Sequence, residues 1–207
     1  MIHLLIVYDN QDTHLGDYFT ASQHHLCEPI KESPYFSIQK FDSNNALEQL
    51  SNAISTLNQH ADLPFVIVTY VHGSPDALHI GDDCIVNMDN AYLFGQTLFY
   101  ACGCYAGENL KEHLMNHKCR FFMGYNNSIT TARPEYEPVF FHCENAILSR
   151  FLSTNDTIQD CIAFMYDTYE KMKLETDIGT AIILDNNLSA FVYQGDTTLT
   201  KNDFIII

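Results

Sequence analysis

"PFVIVTYVHG" (residues 64–73) is apolar almost without a break, rich in β-branched side chains and of strand length. A strand with one face in water alternates apolar and polar positions. This one does not, so both of its faces must be covered, as in a parallel sheet with helices on either side. "IHLLIVYD" (2–9), "TLFYACGC" (97–104) and "CRFFMGY" (119–125) repeat the pattern, and "FSIQKFDS" (36–43) adds an alternating strand. Between them lie stretches that read as helices: 14–30, 45–60, 105–117, 139–152 and 156–174. In "NALEQLSNAISTLNQH" (45–60), Leu47, Leu50, Ile54 and Leu57 fall at helical spacing. "ALHIGDDCIVN" (77–87) reads as a hairpin around Gly81-Asp82-Asp83, and "TAIILD" with "SAFVYQG" (180–195) as a closing strand pair. Strands alternating with helices imply an α/β fold with a mostly parallel sheet. There is no internal repeat, low-complexity tract or linker, which predicts a single domain over 1–207.

The chain has 207 residues, 46% of them hydrophobic, enough to bury a core of its own. No run approaches the ~20 apolar residues that cross a bilayer, so no membrane partner is expected. "MIHLLIVYDNQ" lacks a basic leader and reads as the first strand. Ten Lys and Arg against 26 Asp and Glu give a formal net charge of −16. That field repels a polyanion, so no nucleic-acid partner is expected, and it attracts cations. The seven cysteines (27, 84, 102, 104, 119, 143 and 161) are odd in number and scattered, which argues against a disulfide framework and for the cytoplasm.

In open parallel sheets, sites gather at the carboxyl ends of strands. The strand at 2–9 leads into Asp9-Asn10-Gln11-Asp12, that at 64–73 into His72-Gly73-Ser74, and that at 97–104 into Cys102-Gly103-Cys104. Neighbouring strands lie ~4.8 Å apart, so such groups can meet. An imidazole beside a thiol can accept its proton during attack, and Gly73 leaves a backbone N–H free to approach an oxyanion. His72, Gly73 and a cysteine at the next strand end therefore suit acyl transfer. A Cys-x-Cys pair has neither structural-zinc nor Cys-x-x-Cys redox spacing, so no metal or other cofactor is expected. His24, His25, His113 and His117 lie on helix-like stretches and read as surface residues.

"FVIVTYVHGS" followed by "FYACGCYAG" resembles the His-Gly and Cys-x-[Ser/Ala]-Gly strands of caspase-like (clan CD) cysteine peptidases: caspases, metacaspases, clostripain and bacterial CHAT-type proteases. "CRFFMGYNNSI" and "AFVYQGD" extend the similarity, which covers about 64–196. The resemblance implies a caspase-like three-layer αβα sandwich with about six strands. It also implies a cysteine endopeptidase with a Cys-His dyad and no cofactor, acting on a protein substrate and answering to a regulatory protein partner, as in bacterial defence or cell-death systems. Cys104 matches the nucleophile and His72 the base, with Gly73 and Cys104 supplying the oxyanion N–H groups. The alternative register aligns Ala101-Cys102 with the Ala-Cys of caspases. In Arg/Lys-specific relatives the position two before the nucleophile is an Asp that lines the S1 pocket. Here it is Cys102, which leaves Asp9, Asp12 and Asp76 as candidate substrate-binding acids. The competing expectations are a catalytically silent scaffold that binds a partner, and a thiol or metal sensor.

Overall fold

The computed structural model describes residues 1–59, 63–131 and 133–206. Six strands form the central sheet. They are β1 (Ile2–Tyr8), β2 (Phe36–Phe41), β3 (Phe65–Tyr70), β7 (Thr97–Cys102), β8 (Phe121–Tyr125) and β9 (Phe191–Gly195), in the spatial order β2-β1-β3-β7-β8-β9. All neighbours pair in parallel except β8 and β9, which are antiparallel. Every residue of β3, β7 and β8 is buried, as their unbroken apolar runs require. A small sheet of β4 (His72–Gly73), β5 (Leu78–Ile80) and β6 (Asp83–Val86) follows β3. The β5–β6 hairpin turns at Gly81, whose φ of 55° suits a residue without a Cβ.

The period of two along each strand divides the interior into two cores. Leu4, Ile6, Val66, Val68, Leu98, Tyr100 and Met123 face one side. There they meet α1 (Gly16–Cys27), α4 (Glu137–Ser153), α5 (Ile158–Leu174) and α6 (Ile178–Ala190). Leu5, Val7, Ile67, Phe99, Ala101 and Phe122 face the other, under α2 (Ala46–Gln59), α3 (Asn109–Asn116) and the β5–β6 hairpin. The result is the expected three-layer αβα sandwich around a mostly parallel six-stranded sheet. No helix among the described residues is long and apolar enough to cross a membrane.

Three local expectations change. "TAIILD" is not a strand but the first half of α6. Asp177 caps that helix, accepting from the Thr180 N–H at 2.9 Å, and Thr180, Leu184 and Asn187 face inward at helical spacing. The β-branched run alone suggested extension, and the cap with its inward stripe overrides it. The helix expected from 105 begins at 109, because the chain first turns through Tyr105 at a φ of 61°. In α2, position 60 lies outside the described residues. The buried stripe there is Ala46, Leu50, Ile54 and Leu57, whereas Leu47 is half exposed. Ile54→Ala should therefore lower the unfolding free energy by about 2–5 kcal/mol, and Leu47→Ala by less than about 0.5 kcal/mol, in paired urea melts.

Candidate active site

β3 and β7 pair with Tyr70 opposite Cys102, so the two strands end level. Their next residues run side by side: Val71-His72-Gly73 against Gly103-Cys104. The contact is backbone on backbone. A Cβ added at Gly73 would lie 2.3 Å from the Cys104 carbonyl oxygen, and one at Gly103 would lie 2.8 Å from the Val71 oxygen. Only glycine permits this approach, and it carries His72 and Cys104 onto the walls of one cleft of about 230 Å³. No acceptor among the described residues takes the Cys104 N–H.

The two cysteines occupy different surroundings. Cys102 is buried, and burial drives its thiol well above the usual range, with the nearby Glu144 carboxylate adding to the effect. It donates to Glu144 Oε2 at 3.6 Å. Cys104 is partly exposed at the mouth of the cleft. Its sulfur accepts from the Ile129 N–H at 3.4 Å and donates to the Ile129 carbonyl at 3.7 Å, with Ser128 Oγ at 3.8 Å. The loop after β8 thus borders the cleft, through Ile129, Thr130 and Thr131. Asn187 on α6 fixes it by donating to the Thr130 carbonyl at 2.8 Å and accepting from the Thr130 N–H at 3.0 Å.

The three candidate acids separate. Asp12 Oδ2 lies 2.9 Å from His72 Nε2, and its Oδ1 accepts the N–H groups of His14 and Leu15. The Leu15 N–H foremost, with His14 and His72, holds the Asp12 carboxyl down at about 2. An ionised carboxylate only accepts, so His72 Nε2 must carry a proton toward it and Nδ1 is left as the basic nitrogen. Asp12, expected as a substrate-binding acid, thus faces the His72 imidazole and is not among the cleft-lining residues. Asp9 is buried and does not line the cleft. It accepts from Ser43 Oγ at 2.6 Å and from the Gln11 and Gly81 N–H groups, tying β1 to the β2–α2 turn and to the β5–β6 hairpin. Asp76 is exposed and away from the cleft, accepting from Asn109 Nδ2 at 2.9 Å at the start of α3. The contacts of both acids are to the scaffold.

The acid that does line the cleft is Glu144, which the sequence reading passed over. It lies within "FFHCENAILSR" on α4, in phase with buried Phe140, Phe141, Ile147, Leu148 and Phe151. A charge on the apolar stripe of a helix was the available signal. Its carboxylate accepts from Tyr18 at 2.8 Å, from Ser22 and from Cys102. Burial raises its pKa to about 7, against the lowering effect of those hydrogen bonds. Among the described residues, no group of three or more His, Cys, Asp or Glu is arranged to hold a metal ion.

No family model and no curated relative matches the chain. Among solved structures, it is similar to a secreted C11 cysteine protease from Bacteroides thetaiotaomicron in complex with an irreversible peptide inhibitor. That match has a TM-score of 0.49 and 14% identity, over 83% of this chain and 59% of the other. It is also similar to an inactive zymogen C11 protease from Parabacteroides distasonis, with a TM-score of 0.41 and 14% identity over 62% of this chain and 49% of the other. The chain thus spans 59% and 49% of the length of these two proteases.

The raised pKa of Glu144 has a consequence for stability. The native state holds this proton more tightly than the unfolded chain does, so the favourable contribution is complete below about 4.5 and is lost as pH rises through about 7. Glu144→Gln should remove about 3 kcal/mol of that decline. Denaturant melts of both proteins from pH 4 to 8 should show the wild type losing ground to the variant as pH rises.

Proposed function

We propose that the chain is a cysteine endopeptidase with Cys104 as nucleophile, His72 as general base and acid, and Asp12 as the residue that positions His72. The observation that carries this reading is the shared cleft. It holds an accessible thiol and an imidazole of fixed tautomer, on adjacent strand ends locked by the Gly73–Gly103 contact. Cys102 is disfavoured as nucleophile because its thiol is buried and held protonated.

The reaction follows from these groups. His72 Nδ1 takes the Cys104 proton as the sulfur adds to the carbonyl carbon of the scissile bond. The Cys104 N–H, which has no acceptor among the described residues, and the Gly73 N–H stabilise the oxyanion. His72 then passes its proton to the departing amine, leaving a thioester. A water gives a proton to His72 and adds to the thioester, and collapse releases the new carboxylate and restores the thiol. The negative charge on Asp12 stabilises the imidazolium in both halves. The substrate is a protein or peptide, and a regulatory partner would act by controlling access to the cleft. The seven free thiols fit a reducing compartment such as the cytoplasm.

Two measurements test the assignment. A peptidyl acyloxymethyl ketone should form its adduct on Cys104, located by mass spectrometry of the digested protein, and Cys104→Ala should abolish turnover while Cys102→Ala retains it. An adduct on Cys102 reverses the choice of thiol, and an unlabelled folded protein supports a silent scaffold. Asp12→Asn keeps the Oδ1 acceptor for His14 and Leu15 but removes the charge facing His72. It should lower kcat about 100-fold or more with little change in KM or melting temperature. An unchanged kcat would remove Asp12 from the mechanism.

A further inference from the structure

We propose that Asn187 is a positioning residue that presents the Ile129 edge to a peptide substrate, and that it acts on the substrate's main chain alone. The inference rests on the peptidase reading above. It adds a residue on α6 whose hydrogen bonds go to neither the thiol nor the imidazole.

The first argument is how the loop after β8 is tied down. Among the described residues, three ties join it to α6 and its cap, and they run antiparallel to the helix. The Asn126 N–H donates to the Ala190 carbonyl at 2.9 Å, Thr130 pairs with Asn187, and Arg133 donates to Asp177 Oδ2 at 2.8 Å. The tie at Asn126 only closes the end of β8 onto the start of β9. The tie at Arg133 is an ion pair open to solvent, which constrains little. The middle tie is made by a buried side chain, 8% exposed, and it acts on the neighbour of Ile129.

The second argument is the chemistry of that tie. A carboxamide carries an acceptor and a donor side by side, as a peptide group does. Asn187 Oδ1 accepts the Thr130 N–H at 3.0 Å and Nδ2 donates to the Thr130 carbonyl at 2.8 Å. These are the two bonds that a residue of a neighbouring antiparallel strand would exchange with Thr130. With Thr130 engaged on that side, alternation turns the Ile129 N–H and carbonyl to the other, where they meet the Cys104 sulfur. An apolar side chain would suit the buried row that Asn187 shares with Leu184, so what the carboxamide adds is direction.

The third argument is the space behind the loop. A polar cavity of about 360 Å³, lined by Asn126, Asn127, Ser128 and Asn186, meets the cleft at Thr130 and Asn187, which line both. The Thr130–Asn187 pair is the partition between them, and without it the loop has room to swing off the thiol. His72 and Cys104 are placed by the ends of β3 and β7, so they keep their geometry when the partition is lost. Loss of Asn187 therefore weakens peptide binding and spares the chemical step. Because the edge offers only main-chain groups, the loss is the same whatever side chains the peptide carries.

The experiment reads the loop and the chemistry separately. In hydrogen exchange resolved to single amides, Asn187→Ala should speed Ile129 and Thr130 by about 10-fold or more, with the amides of β3 and β7 unchanged. Asn187→Asp serves if the alanine protein does not fold. Its ionised carboxylate can accept from the Thr130 N–H but has no proton for the Thr130 carbonyl, and protonation supplies one. The exchange ratio of this variant to wild type should therefore return toward unity as pH falls through about 4. Labelling of Cys104 by the peptidyl acyloxymethyl ketone should show KI raised about 5- to 30-fold in Asn187→Ala, the worth of one or two neutral hydrogen bonds, with the limiting rate changed less than about twofold. The factor should be the same for ketones that differ in side chain. A general loss of stability would instead lower the fraction of protein labelled and leave KI alone. Unchanged exchange at Ile129 and Thr130 overturns the proposal, whatever the chemistry of the protein. Faster exchange with an unchanged KI also overturns it, because the amide then only stabilises the fold. A factor that varies among ketones overturns the main-chain assignment. If the ketone leaves wild type unlabelled while iodoacetamide modifies Cys104, the peptidase reading falls, and faster exchange confined to these two amides still upholds the hold of Asn187 on Ile129.

Discussion

The parallel pairing of β3 with β7 is the interaction on which everything else depends. It puts Tyr70 opposite Cys102, and with the strands level, the two residues that follow each strand must also meet. The sheet hydrogen bonds set the register, and the Gly73–Gly103 contact removes the space in which it could slip. Both strands are buried on both faces, so a shift of one residue would turn each core outward at once. The positions of His72 and Cys104 are thus set by main-chain register and the Gly73–Gly103 contact.

The electrostatics of the cleft follow from depth. Beside His72, outside the cleft wall, Asp12 is stabilised as an anion by backbone N–H groups and holds the imidazole in one tautomer. At the cleft floor, Glu144 is surrounded by hydroxyls, a thiol and aromatic rings, and its proton is bound far more strongly. Two carboxylates of similar intrinsic acidity are pushed apart by about five units, from about 2 to about 7. Such separation gives the first a fixed charge and the second a charge that depends on pH.

Much of this was legible in the sequence because it is local. The runs 65–70 and 97–102 declare two buried faces without reference to any partner, and the residues after them declare their place at a strand end. What was not legible depends on distant contacts. Asp12 reads as a candidate substrate-binding acid, and its contact with His72, 60 positions away, shows only in the folded chain. Asp9 reads as a rim residue, but Ser43 and Gly81 close over it. Glu144 lies 122 and 126 positions from the two α1 hydroxyls that give it its surroundings. "TAIILD" failed for a local reason, since its β-branched residues favour strand while the Asp177 cap and the inward row of Thr180, Leu184 and Asn187 favour helix.

The loop over the cleft has a directional property. In an extended segment, successive residues point their main-chain groups to opposite sides. Thr130 turns both of its groups toward Asn187 on α6, and Ile129 turns both of its groups toward the Cys104 sulfur. On the proposed peptidase reading, a peptide pairing with the Ile129 side of this loop would use the edge that already holds the thiol. A main chain laid along this edge takes the Ile129 N–H and carbonyl for itself. On the proposed assignment of Cys104 as nucleophile, docking of a peptide and release of the thiol then become a single exchange of hydrogen bonds.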